Sequence, residues 1–446
     1  MNSQKDKNRN SISRRDFCKT TAFAAGAGML FGSLPVGASA YAGASDTLKL
    51  ALIGCGGRGS GAARQALTAD KGIKLVAMAD VFRDRLDGSL QRLNERFGSD
   101  QIDVPEEHKF IGFEGYKNAI SVADVVILAT PAGFRPLHFE EAINAGKHVF
   151  MEKPLATDAP GIRKVLEVGE LAKQKNLNVV VGLQRHYQNS YRKVSRHIND
   201  GAVGKIVSGQ VYWNIGAHWV RERNQLQTEL EYQMRNWYYF TWLSGDHILE
   251  QHIHNIDVAN WFIGEYPISA QGMGGREVRV GPQHGEIFDH HFVEFTYPGG
   301  AVIASQCRNQ EGTMGRVGEM FQATKGTVET DNNSNGMIKI WDGKVLLDYR
   351  GDQDISPYQQ ENNELFASIR KGDVINNTEY GAKSTMAAIL GRMATYSGKQ
   401  VTWDEAIKSN RKLFEPEGFG WNSPPPVVLD RSGNYPSARP GVTEVL

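Results

Sequence analysis

Cysteine is scarce in this chain, with three in 446 residues. So few, and none in a closely spaced pair, exclude a disulfide scaffold and a thiolate metal cluster. An excess of charge of either sign is also missing, since 50 Lys and Arg balance 50 Asp and Glu. That leaves no electrostatic footprint for nucleic acid or for an anionic membrane surface. A hydrophobic run fit to anchor the chain is missing as well. The uncharged stretch Thr20–Ala40 is rich in Gly and weakly hydrophobic, and it ends in Ala38-Ser39-Ala40, a small-residue cleavage site. It follows Ser13-Arg14-Arg15-Asp16-Phe17-Cys18-Lys19, a twin-arginine export motif. Residues 1–40 are thus expected to be a cleaved leader that sends a folded protein to the periplasm. Only Cys55 and Cys307 then remain.

What the chain does have is a strand that breaks into glycines. The apolar run Leu48–Ile53 gives way to Gly54-Cys55-Gly56-Gly57-Arg58-Gly59 and then to an Ala-rich helical segment. A second apolar run, Ile73–Ala79, ends in Asp80. A triple-glycine pattern alone is weak, but strand, glycines, helix and a correctly spaced acid together specify a dinucleotide site. Gly54 permits the tight turn, Gly56 lets backbone approach a pyrophosphate, and Gly59 lets the helix pack on its strand. The new helix points unpaired N–H groups and its positive dipole end at the phosphates, and Arg58 is in reach of them. Asp80 accepts hydrogen bonds from ribose hydroxyls and repels a 2′-phosphate, which selects NAD over NADP. A cofactor scarce outside the cytoplasm, carried by an exported chain, has to be held tightly.

Strand and helix patterns alternate from Leu48 to about Pro154, as in a doubly wound parallel sheet. Val122–Thr130 reads as a strand, Pro136–Ala145 as a helix, and His148–Met151 as a strand delivering Glu152-Lys153-Pro154. A helix over Pro160–Lys175 then leads to a strand at Asn178–Gly182. Beyond Gly204 the period changes to two. Ile206–Tyr212, Phe292–Thr296, Val302–Gln306 and Gly326–Thr330 read as an antiparallel sheet, closed by helices over Asn362–Lys371 and Gly381–Ser397. The expected fold is α/β. A Rossmann domain over 46–160 precedes an α+β domain over 161–414 with a large open, mainly antiparallel sheet. The tail over 415–446, with Pro424-Pro425-Pro426, should be extended and surface-bound.

With these motifs the chain resembles the Gfo/Idh/MocA oxidoreductases, the family of glucose–fructose oxidoreductase and inositol dehydrogenase. The resemblance runs from about Leu48 to Ile407. It rests on Gly54–Gly59, Asp80, Ala129-Thr130-Pro131, Ala145–Val149, Glu152-Lys153-Pro154 and Gly245–Asp257. It implies NAD as cofactor, a small-molecule sugar or glycoside as substrate, and a homo-oligomer, dimer or tetramer, built across the open sheet. Lys153 is then the catalytic lysine beside the nicotinamide, with Pro131 and Glu152 near its ribose. His254 is the general base, and Glu250, where the family has Asp, orients substrate or imidazole. Four residues apart, Glu250 and His254 are expected on one helix face. Arg185, Tyr187, His252 and Asp257 are expected on the substrate side. The aromatic-rich stretch 210–245 offers ring faces for a sugar or simply core.

The histidines at 247, 252, 254, 290 and 291 prompt a metal site. Their spacing completes no known ligand pattern, and no metal is expected. Two other functions compete with a sugar dehydrogenase. One is an NAD-dependent glycoside hydrolase of the α-N-acetylgalactosaminidase kind, which oxidises, eliminates and re-reduces. The other is a non-catalytic NAD- or sugar-binding protein, which an intact Lys153 and His254 argue against.

Overall fold

The computed structural model describes residues 47–216 and 218–446. The twin-arginine motif, the leader over 1–40 and its cleavage site lie outside the described residues.

The first sheet contains β1 (Leu48–Ile53), β2 (Ile73–Asp80), β3 (Lys109–Ile111), β4 (Val125–Leu128), β5 (His148–Met151) and β6 (Val179–Val181). All neighbours pair in parallel, in the order β3-β2-β1-β4-β5-β6. The central strands are mostly apolar because both faces are covered. Ala51 and Ile53 join one core while Leu48, Leu50 and Leu52 join the other. Connections leave β1 and β4 toward opposite edges of the sheet, which opens a crevice at their carboxyl ends. The sheet runs past residue 160 to take in β6, which pairs with β5.

The second sheet has nine strands: β7 (Ile206–Ile215), β8 (Ser269–Gly275), β9 (His290–Thr296), β10 (Val302–Asn309), β11 (Arg316–Ala323), β12 (Gly326–Asp331), β13 (Gly336–Ile340), β14 (Val345–Tyr349) and β15 (Val401–Thr402). Their order is β14-β13-β12-β11-β7-β10-β9-β8-β15. Pairing is antiparallel except between β7 and β10. The period-two pattern has its usual cause. On β9, His291, Val293 and Phe295 are buried while Phe292 and Glu294 are half-exposed on the outer face.

One helix, Thr378–Ser397, serves both sheets. Its Gly381 packs against Val181 of the first and against Leu155 just past β5, and its Gly391 against Phe295 of the second. Small residues at these points let the helix approach closely on either side. The tail over 415–446 has no helix or strand and runs mostly exposed along the surface, held by buried Tyr435 and by Gln233, which donates to the Val427 carbonyl at 2.6 Å. The tail is pinned because its aromatic rings bury more apolar area than an extended, solvated strand would.

A buried charge pair ties the second sheet to its covering helices. Arg185 is hydrogen-bonded to Glu319 of β11. The same carboxylate accepts from Asn255 at 2.6 Å, Thr330 at 2.6 Å and Tyr191 at 3.0 Å. Breaking one partner of such a pair leaves the other charge stranded, at a cost of about 3–5 kcal/mol. Glu319→Ala should therefore lower the unfolding free energy read from urea titration by an amount in that range, seen as a lower midpoint with little change in slope. A loss below about 1 kcal/mol would mean that water reaches Arg185.

Candidate active site

The glycine turn after β1 is built by close approach. Gly54 has φ +94°, and a Cβ on it would lie 2.6 Å from the Ala129 carbonyl carbon and from Thr130 N. A Cβ on Gly59 would lie 1.9 Å from the Gly54 carbonyl oxygen, so the helix Gly57–Ala69 can start only over glycine. At Gly56 the same test meets open space. No side chain caps this helix, so its first N–H groups remain free for phosphate oxygens.

These elements wall a cavity of about 560 Å³. Gly54, Gly56, Arg58, Gly59, Asp80, Pro131, Glu152, Lys153, Glu250 and His254 all line it. Asp80 closes one end. Its two carboxylate oxygens accept from Cys55 N at 2.7 Å and Phe82 N at 2.9 Å. Burial pushes its carboxyl above the usual range, against those two bonds. Arg58 is paired with Glu152, reaches Gln65 at 3.1 Å and lies 3.4 Å from Glu361. Glu361, which the sequence reading missed, is fully enclosed, and burial raises its pKa well above the ordinary value.

At the other end Lys153 follows β5, and its peptide bond to Pro154 is cis. Its Nζ donates to Glu250 Oε1 at 2.9 Å and to the Glu250 carbonyl. Glu250 and His254 reach the same cavity but do not share a helix. Glu250 ends the single turn His247–Glu250, and His254 lies in the first turn of Ile253–Ile263. The chain breaks at Gln251 (φ −112°) and His252. There the His252 imidazole turns into the core and bonds Ser305 Oγ at 2.7 Å. His254 stacks against Trp213, with centroids 5.8 Å apart. Its Nδ1 is buried without a partner, so Nε2 is the nitrogen left open to the cavity. Burial, then the nearby Lys153, holds its pKa well below the ordinary value. The imidazole is therefore neutral and able to accept a proton.

Four expected substrate residues are not brought here. Arg185 is spent on Glu319, and Tyr187 donates to Asn377 at 2.7 Å. His252 bonds Ser305, and Asp257 bonds His186 at 2.8 Å and Ser384 at 2.7 Å. Each is buried and none lines the cavity. Each spends at least one polar atom on a partner inside the protein, although one Arg185 guanidinium nitrogen and His252 Nδ1 are buried without one. In their place stand Gln251, Trp213, His218, Trp219 and Trp237. His218 lies 3.3 Å from the Gln251 amide, and burial pulls its pKa down to about 4. Of the aromatic-rich stretch, Tyr238, Tyr239 and Trp242 are core.

Asp246, His247 and His291 come within 4.8 Å of one another in the core. The Asp246 carboxylate already accepts from His247 N, His247 Nδ1, Phe288 N and Tyr396 OH. Its lone pairs are taken by these donors, which reads as a hydrogen-bonded ion pair.

Residues 48–183 match the model of an oxidoreductase family with an NAD-binding Rossmann fold, and residues 191–329 match the Gfo/Idh/MocA C-terminal domain. NAD is thus the dinucleotide that the first sheet and its glycine turn are built to hold. Similar proteins include inositol 2-dehydrogenase of Rhizobium meliloti, 25% identical over 337 residues, or 73% of this chain and 90% of that one. Inositol 2-dehydrogenase of Burkholderia lata is 30% identical over 242 residues, covering 53% of this chain and 61% of its own. Among solved structures, aldose–aldose oxidoreductase from Caulobacter crescentus superposes with a TM-score of 0.63 at 19% identity, over 80% of this chain and 99% of that one. Myo-inositol 2-dehydrogenase from Lactobacillus plantarum gives 0.60 at 22%, over 80% and 99%. At such identities the structural likeness is one of fold.

Asp80→Ala should weaken NAD binding and narrow the preference over NADP, because it removes both the ribose acceptor and the charge facing a 2′-phosphate. Titration of the purified variant with each cofactor checks this. Unchanged affinity and selectivity would remove Asp80 from the cofactor site.

Proposed function

From the premise that the chain belongs to the Gfo/Idh/MocA family of NAD-binding oxidoreductases, we propose that it oxidises a secondary hydroxyl on a sugar, glycoside or cyclic polyol. The observation that carries this reading is the meeting of Lys153, Glu250 and His254 on one cavity wall, in the same cavity as Asp80 and the glycine turn. The inositol dehydrogenases among its relatives favour a polyhydroxylated ring. Trp213, Trp219 and Trp237 offer flat apolar faces against which the C–H face of such a ring packs.

Bound NAD supplies the acceptor for the hydride that leaves the carbinol carbon. The chain's own residues manage the proton. His254 Nε2, neutral and open to the cavity, takes it from the hydroxyl. Lys153 Nζ donates to the same oxygen and stabilises the charge that develops there. Glu250 holds the lysine in place through the 2.9 Å bond and turns it toward the substrate. Gln251 and His218, already bonded to each other, read a neighbouring hydroxyl.

Two further parts of the proposal rest on sequence and surface. The Ser13–Lys19 motif supports a periplasmic site of action. Half-exposed apolar residues on the outer face of the second sheet, such as Phe292 and Met320, support assembly of like subunits across it.

The decisive experiment incubates the protein with a panel of sugars, glycosides and inositols, following bound NADH by absorbance and products by mass spectrometry. NADH should form with a ketone product. Net glycoside hydrolysis without NADH would overturn the reading. Lys153→Ala and His254→Ala should each lower turnover by roughly 10²–10⁴-fold with NAD still bound. The double variant should lose far less than the product of the two, because the residues act as one unit. Glu250→Gln, which keeps the shape and loses the charge, should cost less than either.

The pH profile gives a separate check. A base whose pKa is lowered is protonated only under more acidic conditions. The acid limb of kcat/KM should therefore lie well below pH 6.5, the ordinary histidine value. A limb near 6.5 would mean that the proton acceptor is a solvated imidazole instead.

A further inference from the structure

Two segments cover the adenosine end of the cavity, one lining it through Arg235 and the other backing the rings of Phe82 and Phe113 that line it. In a Rossmann sheet the acid ending β2 faces the adenosine ribose, so residues just past β2 and β3 border the adenosine. Here these are Asp80, Phe82 and Phe113, all on the cavity wall. The first segment is Glu229–Ser244, between β7 and β8. Its Arg235 grips Asp84, in the helix Arg83–Gln101 that follows β2, with both guanidinium ends, at 3.1 and 3.2 Å. The guanidinium also lies 4.0 Å over the Phe82 ring and is braced by Glu231 at 3.0 Å. The second segment is the tail. Trp421 meets Phe82 at 5.5 Å and Phe113 at 4.9 Å, and Phe419 meets Phe113 edge-on at 5.4 Å. The two segments are fastened to each other by Gln233 and Val427, and by Glu229 and Tyr435.

We propose that Glu229–Ser244 and the tail form one strap over the adenosine of bound NAD, latched by Arg235 to Asp84 and by Trp421 to Phe82 and Phe113, and that this strap slows cofactor release. The reason is steric and cooperative. Phe82 is held by both the guanidinium and the Trp421 ring, so this wall opens only when both contacts part. Each contact alone is modest: the ion pair is partly exposed, with Asp84 at 60%. Because the segments are fastened together, losing the two contacts should compound in the release rate.

The proposal rests on the cavity being the NAD site and not on the roles of Lys153 or His254, so its failure leaves the catalytic reading intact. The test uses the whole protein loaded with NADH, mixed with excess NAD, while the loss of bound NADH fluorescence is followed. Arg235→Gln or Asp84→Asn should each speed release by roughly fivefold. Together they should do no more than one alone, since either breaks the pair. Trp421→Ala should speed release by up to roughly tenfold, and adding it to Arg235→Gln should multiply the two effects. Release unchanged in Arg235→Gln and in Trp421→Ala, with both folded, would overturn the proposal.

Discussion

The carboxylate of Asp246 holds the turn on which the catalytic half of the site is mounted. It sits at φ +78°, after Gly245 at +79°, where the chain reverses into His247. It is fully buried, and it keeps its charge because donors reach it from three directions: His247 beside it, Phe288 just before β9, and Tyr396 on the long helix. Burial works against the charge, but His291 and His247 hold the pKa well below the ordinary carboxylate value. In return His247 is drawn up to about 10 by Cys307 and Asp246, although its own burial pulls the other way. The ion pair thus fixes residues 244–252 against the second sheet. Glu250, Gln251 and His254 leave that turn on the cavity side.

The dinucleotide half was legible because each of its residues answers a backbone requirement. Gly54 and Gly59 stand where a Cβ would collide, and Asp80 ends a strand. Such requirements are local and leave their mark in the residue order. The substrate half was legible only in part. Lys153, Glu250 and His254 were found through their motif, yet the helix assumed to join the last two is broken at Gln251. Arg185, Tyr187, His252 and Asp257 were expected on the substrate side through the family resemblance alone, and none of them lines the cavity. Sequence position does not say which way a side chain points. Each of them faces inward to a partner far along the chain, as Arg185 does to Glu319, 134 residues away.

The tail shows the same division between local and distant signals. Its prolines and glycines predict the absence of helix and strand, which holds. They say nothing of Phe414, Phe419, Trp421 and Tyr435, whose rings find Phe134, Phe113, Phe82 and Phe240 across the fold. Irregular backbone and firm packing are compatible when anchoring comes from side chains.

Arg58 stands on the first turn of the glycine-turn helix, where a cation would ordinarily greet a pyrophosphate. It comes already matched, with Glu152 on its Nε and Glu361 close behind. Its charge is therefore balanced before any cofactor arrives, and it brings almost no long-range pull. What remains to receive two phosphates is a set of fixed backbone dipoles at the start of the helix. Dipoles act over a few ångströms, well inside the roughly 8 Å screening length of a physiological salt solution. The grip on the pyrophosphate is accordingly a matter of contact rather than of field, and dissolved ions have little there to screen.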